Sequence, residues 1–378
     1  MRTRQHRTDR DQSVSIPDHM TAFVLTGHGD LDQLRLMHDV PVPVPSPHEV
    51  LVKVGACGLN NTDVNTRSGW YSRTVTEATT GGAYESVGEE DPAWGGSPVS
   101  FPRIQGADAV GRIVAVGSDV DPGRIGERII TDNWLRDWDD PMNRDKIGYF
   151  GSECDGGFAQ FVTLDHRNAV AIDSSLSEAE LATFSCSYST AEGMLERAGV
   201  GSGDVVLVTG ASGGVGSALV QLAKRRKACV VALASESKHD QIKALAADVV
   251  LPRHPDNLAT SLQQTIGKPC VSVVADVVGG SAFADVLAVL ERGGRYTCSG
   301  AIAGAMVELD LRTLYLRDLT FTGSTVLPLD VFPNLVRYIE RGDIKPVLAA
   351  TYPLAELKQA QQAFIEKQHI GNIVVTVQ

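Results

Sequence analysis

Residues 206–238, "VLVTGASGGVGSALVQLAKRRKACVVALASESK", constrain the chain more than any other stretch. They read as an apolar strand, a glycine cluster, a helix and a second apolar strand. Glycines between a strand and a helix let the backbone turn tightly and approach a pyrophosphate, which the helix N-terminus then stabilises. In this strand-turn-helix-strand setting the cluster predicts a dinucleotide site made by Gly210, Ala211, Ser212, Gly213, Gly214, Val215 and Gly216.

The surrounding pattern agrees. From about residue 170, strands such as "DVVLVTG", "ACVVALA" and "VSVVADVV" alternate with helices, which specifies a parallel sheet with helical crossovers. Between Met20 and about Gln160, short β-rich runs such as "TAFVLT" and "EVLVKVGA" are broken by Pro, Gly and Asp, as in a compact barrel-like domain. A chain of 378 residues is long for a single core, so an α/β protein of two domains is expected. Residues 72–104 are polar, rich in Gly, Ser and Glu, and without period; they read as a long loop, either a lid or an insertion.

The second strand ends in "VVALASESK". A carboxylate there usually accepts the ribose hydroxyls of NAD, but the corresponding position is Ala234 or Ser235. A 2'-phosphate is then not repelled, and Ser235, Lys238 and Arg253 can donate to it. NADPH is expected over NADH. Glu236 would reverse that preference if its carboxylate faced the ribose.

A net charge of −12 argues against nucleic-acid binding. No run approaches the length of a membrane span, and the polar start lacks a signal-peptide core, so residues 1–18 are expected to be a disordered arm of a cytoplasmic protein. The six cysteines are scattered, with no pair spaced as a zinc clip or redox motif.

Several ordered motifs carry a further reading: "ACGLNNTDVNTRSGWY", "GADAVGRIVAVG", "DGGFAQFV", "CSYSTAEGML", "VTGASGGVG", "GGRYTCSG" and "GNIVVTV". Together they resemble the medium-chain dehydrogenase/reductase superfamily. That resemblance implies a GroES-like β-barrel catalytic domain, residues 19–170 and 326–378, and a Rossmann domain, residues 171–325. Zinc members hold their metal through a Cys in the first motif, a His-Glu pair in the second and a later Cys. Here those positions read Asn60, Ala107-Asp108 and Cys186, so the usual three ligands are not supplied. An atypical Asp63, Asp108 and Cys186 cluster is the arrangement that could still hold a metal. "GLNNTD" and Ala211 instead resemble the zinc-free quinone and enone reductases.

The resemblance implies that Thr190, the segment Ser299, Gly300 and Ala301, and Asn372 lie along the cofactor. Without a Lewis acid, a delocalised acceptor is the easier substrate. The expected activity is therefore NADPH-dependent hydride transfer to a quinone or an α,β-unsaturated carbonyl. Asn60 would position nicotinamide or substrate oxygen, Asp63 would orient its neighbours, and Tyr71 or solvent would supply the proton. A zinc alcohol dehydrogenase with atypical ligands and a non-catalytic NADPH-binding regulator are the alternatives. By the same resemblance a homodimer is expected through the Rossmann sheet edge, with "LTFTGS" as the pairing strand.

Overall fold

The computed structural model describes residues 15–84, 87–88 and 98–377. Residues 1–14 of the expected arm, and 85–86 and 89–97 of the 72–104 loop, lie outside the described residues.

The alternating half of the sequence forms one parallel sheet of six strands. Their spatial order is Val249–Pro252, Cys229–Ala234, Val205–Val208, Val271–Asp276, Leu290–Cys298 and Thr320–Gly323. Strands before and after Val205–Val208 in this order are reached by crossovers in opposite directions. A crevice therefore opens between the C-terminal ends of Val205–Val208 and Val271–Asp276, where such sheets bind ligands. Both strands are buried along their whole length because helices cover both faces. The helix Gly214–Arg225 packs Ala218, Leu219, Leu222 and Ala223 inward, and its N-terminus faces the crevice.

The β-rich half forms a seven-stranded sheet. Glu49–Gly58 lies at its centre, paired with Asp108–Val116, with Phe161–Asp165 and with the last strand, Asn372–Thr376. The chain's end thus returns across the nucleotide domain to complete the first domain's sheet. Its Ile373, Val374 and Val375 are buried, as suits a strand inside the sheet, and Asn372 at its start is buried too.

The described parts of the 72–104 loop are anchored. Arg67 is fully buried, and its guanidinium donates to Gly29 O at 2.6 Å, Gly81 O at 2.8 Å and Gln361 Oε1 at 3.0 Å. Thr79 N–H reaches Ile302 O at 3.1 Å, so the loop bridges to the nucleotide domain. Among the described residues no helix is long and apolar enough to cross a membrane.

Candidate active site

A cleft of about 590 Å³ runs between the two domains, lined by the glycine turn on one side and by the segment after Glu49–Gly58 on the other. The turn's geometry follows from its residues. Gly210 has φ 57°, a conformation that costs a side-chain-bearing residue free energy. A Cβ on Gly214 would lie 2.4 Å from both Asn372 Oδ1 and Ser187 Oγ. Gly371 N–H donates to Ser212 O at 2.9 Å, so the start of the last strand docks on the turn itself. Asn372 accepts from Ser187 Oγ at 2.8 Å, while its buried Nδ2 has no partner among the described residues. An orphaned donor beside a helix N-terminus that only glycines can form fits the diphosphate of a dinucleotide.

Gly210, Ser212, Gly213, Gly214, Val215, Gly216, Ser299, Gly300, Ala301, Thr190, Asn372, Asn60 and Tyr71 all line this cleft, as does Arg253. Four expected site residues do not. Ala211 is fully buried, with its N–H directed to Leu233 O at 3.3 Å, because the turn folds it under the sheet. Ser235 caps the short turn Glu236–Lys238 outside the cleft wall. Lys238 is buried and gives its ammonium to Lys367 O and His369 O, so it is not available to a phosphate. Asp63 lies behind the wall, accepting Asn60 N–H at 2.8 Å as the N3 residue of the helix Asn61–Ser68. Glu236 is exposed and also off the cleft.

At the catalytic end, burial pushes the Asp63 carboxyl up to about 7 and Asp108 up to about 6, against the backbone and amide hydrogen bonds that favour their charged forms. Asp108 Oδ1 accepts Asn133 Nδ2 at 2.9 Å and Cys186 N–H at 3.0 Å. The Cys186 thiol, pushed up by burial and by the Asp108 charge, takes hydrogen bonds from Tyr149 and Thr190. The buried Asn60 amide is among the groups whose hydrogen bonding favours the Asp108 carboxylate. These donors do not fit a zinc ion. Both carboxylates are engaged by N–H groups, and among the described residues no three His, Cys, Asp or Glu side chains converge as a metal requires.

Other lining residues were not singled out in the sequence. Thr209 donates to Asp276 Oδ1 at 2.5 Å, and Asp276 also accepts Tyr296 OH at 2.7 Å, holding the crevice mouth. The rule that ligands meet the C-terminal ends of parallel strands points to both Thr209 and Asp276. Lys367 donates to Asn61 Oδ1 at 2.9 Å and sits 3.7 Å over the Phe364 ring. Burial pushes its ammonium down to about 7. Trp134 and Tyr149 form an edge-to-face pair at 5.2 Å on the wall beside Cys186. No sequence spacing connects them to Cys186.

Two family models match the chain, an alcohol dehydrogenase GroES-like domain over residues 46–174 and a zinc-binding dehydrogenase over residues 214–341. A provisionally named alcohol dehydrogenase structure from Sinorhizobium meliloti 1021 is 44% identical, with a TM-score of 0.87 over 97% of this chain and 98% of that one. The acryloyl-coenzyme A reductase of Metallosphaera sedula is 26% identical over 94% of this chain and 100% of its own length. The quinone oxidoreductase of Rattus norvegicus is 27% identical, covering 92% and 94% respectively.

Proposed function

The chain belongs to the medium-chain dehydrogenase/reductase superfamily and is an NAD(P)H-dependent oxidoreductase, and from that premise we propose that it reduces a quinone or an α,β-unsaturated carbonyl with NADPH and without a metal.

One observation carries the reading: the cleft joins a ribose end without a carboxylate to a catalytic end furnished with hydrogen-bond donors. At the first end, Ala234 and Arg253 line the wall while Glu236 stands outside it. The guanidinium suits a 2'-phosphate through charge-assisted hydrogen bonds. At the second end stand Asn60, Tyr71, Tyr149, Cys186 and Thr190. The names of the two relatives, a quinone oxidoreductase and an acryloyl-coenzyme A reductase, support this acceptor class over a simple alcohol.

A dinucleotide held along the glycine turn would supply the hydride that the β-carbon of an α,β-unsaturated carbonyl accepts, leaving the α-carbon to be protonated. Gly213 to Gly216 and Asn372 would hold its diphosphate, and Thr190 with Ser299 to Ala301 would border its nicotinamide. Asn60, whose backbone N–H is held by Asp63, lines the cleft where it can contact cofactor or substrate. Tyr71 lines the cleft, where its hydroxyl or solvent delivers the proton to the α-carbon, although burial pushes the phenol up and weakens it as an acid. Thr79 and the loop carrying it narrow the cleft mouth and help exclude water.

The test is NADPH oxidation against quinones, enones, enals and saturated aldehydes, with and without chelator. Turnover confined to the saturated aldehyde, or lost with the metal, would refute the proposal.

A further inference from the structure

Resting on the reductase reading, we propose that the Tyr149 hydroxyl is the donor that stabilises the negative charge developing on the substrate's carbonyl oxygen. The group stands beside Cys186, the position where zinc relatives keep a ligand, and thus near where a Lewis acid would act.

Three features support this. Tyr149 is only 5% exposed, but it lines the cleft, so its hydroxyl meets a bound molecule without competition from bulk water. Its oxygen accepts Asn133 Nδ2 at 3.3 Å, and the same nitrogen donates to Asp108 Oδ1 at 2.9 Å, which fixes the amide's orientation. An accepted hydrogen bond polarises the O–H and makes it a better donor. Finally, Cys186 neighbours Tyr149 on the cleft wall, and its sulfur is a weak acceptor that an enolate-like oxygen outcompetes for the hydroxyl.

The ring is held edge-on to Trp134 at 5.2 Å, so the donor is already oriented before the reaction. Burial and the neighbouring Asp108 carboxylate push the phenol well above its ordinary range, so it stays protonated across neutral pH. The role differs from that of Tyr71. Tyr149 gives a hydrogen bond to oxygen and transfers no proton to carbon.

Tyr149→Phe keeps the ring packing and removes only the hydroxyl. The probe is 4-(dimethylamino)cinnamaldehyde, a push–pull enal whose absorption moves to the red when its carbonyl oxygen accepts a hydrogen bond. In the NADP⁺ complex, wild type is expected to shift the enal to the red, with or without chelator, and the variant is expected to lose that shift. Its kcat on enones should fall about 10²–10³-fold, as when one oxyanion donor is removed, at unchanged NADPH affinity and with a cooperative melt retained. A variant that keeps the shift, a wild type that never produces it, or a kcat within about twofold overturns the role of Tyr149. A wild-type shift abolished by chelator would overturn the metal-free reading, whatever the variant does.

Discussion

Lys238 Nζ donates to Lys367 O at 2.9 Å and to His369 O at 2.7 Å, tying the end of the second parallel strand to the loop before the last strand. The two domains are therefore joined by a lysine at the place where a phosphate ligand was expected. Lys238→Ala should leave two carbonyls short of a donor, lowering stability by about 1–3 kcal/mol. NADPH and NADH binding should weaken by the same factor. Thermal melting and paired cofactor titrations check this, and a loss confined to NADPH would contradict it.

Arg253 is exposed at the cleft wall, and on the proposed reading it is the side chain that discriminates the cofactors. Arg253→Ala should weaken NADPH about 10–100-fold, the size of one lost charge-assisted contact, and leave NADH within about twofold. Isothermal titration with each cofactor measures the ratio directly. Equal losses would place the 2'-phosphate elsewhere.

Gly214 cannot accept a methyl group without moving Asn372 or Ser187, each 2.4 Å from the added carbon. Gly214→Ala should lower the melting temperature and abolish tight dinucleotide binding, because the last strand and the glycine turn meet there. A variant that binds NADPH like wild type would show that the contact yields.

The Asp63 carboxyl, pushed up to about 7 from 3.8, binds its proton more tightly in the folded chain than in the unfolded one. Its contribution to stability is then full below about pH 4 and is lost as pH rises through 7. Asp63→Asn, which still offers an oxygen to Asn60 N–H, should flatten the fall in stability between pH 4 and 7. Denaturant midpoints across that range give the slope, and an unchanged slope would remove Asp63 as its source.

Thr320–Gly323 is the edge strand of the parallel sheet, and the helix before it exposes Leu311, Tyr315 and Leu316 at 64%, 62% and 56%. Pairing of two copies along this edge would bury that apolar surface. Light scattering should give twice the chain mass for wild type and a single chain for a Tyr315→Asp, Leu316→Asp variant. A wild-type monomer would rule out the dimer.

Strand-turn-helix chemistry is local, which is why the nucleotide half was readable from "VLVTGASGGVG" and the apolar runs around it. Glycines at 210, 214 and 216 are demanded by backbone angles and close approaches within or against that same turn. The capping pair Asn60 and Asp63 is equally local, three residues apart on one helix end. What lay beyond the sequence were contacts between residues far apart in the chain. Lys238 and Ser235 carry the right chemistry for a phosphate, but only the docking of residues 367–369 decided that the lysine is used up.

The sequence by itself determined the fold class, the place of the glycine turn between strand and helix, and that the residue types usual for a zinc site are not at Asn60 and Ala107, because each depends on residue type and short spacing. Tertiary structure alone decided which donors face the cleft. Tyr149, Asn133 and Asp108 come from separate segments of the first domain, and Cys186 N–H reaches Asp108 from the nucleotide half only in the folded chain.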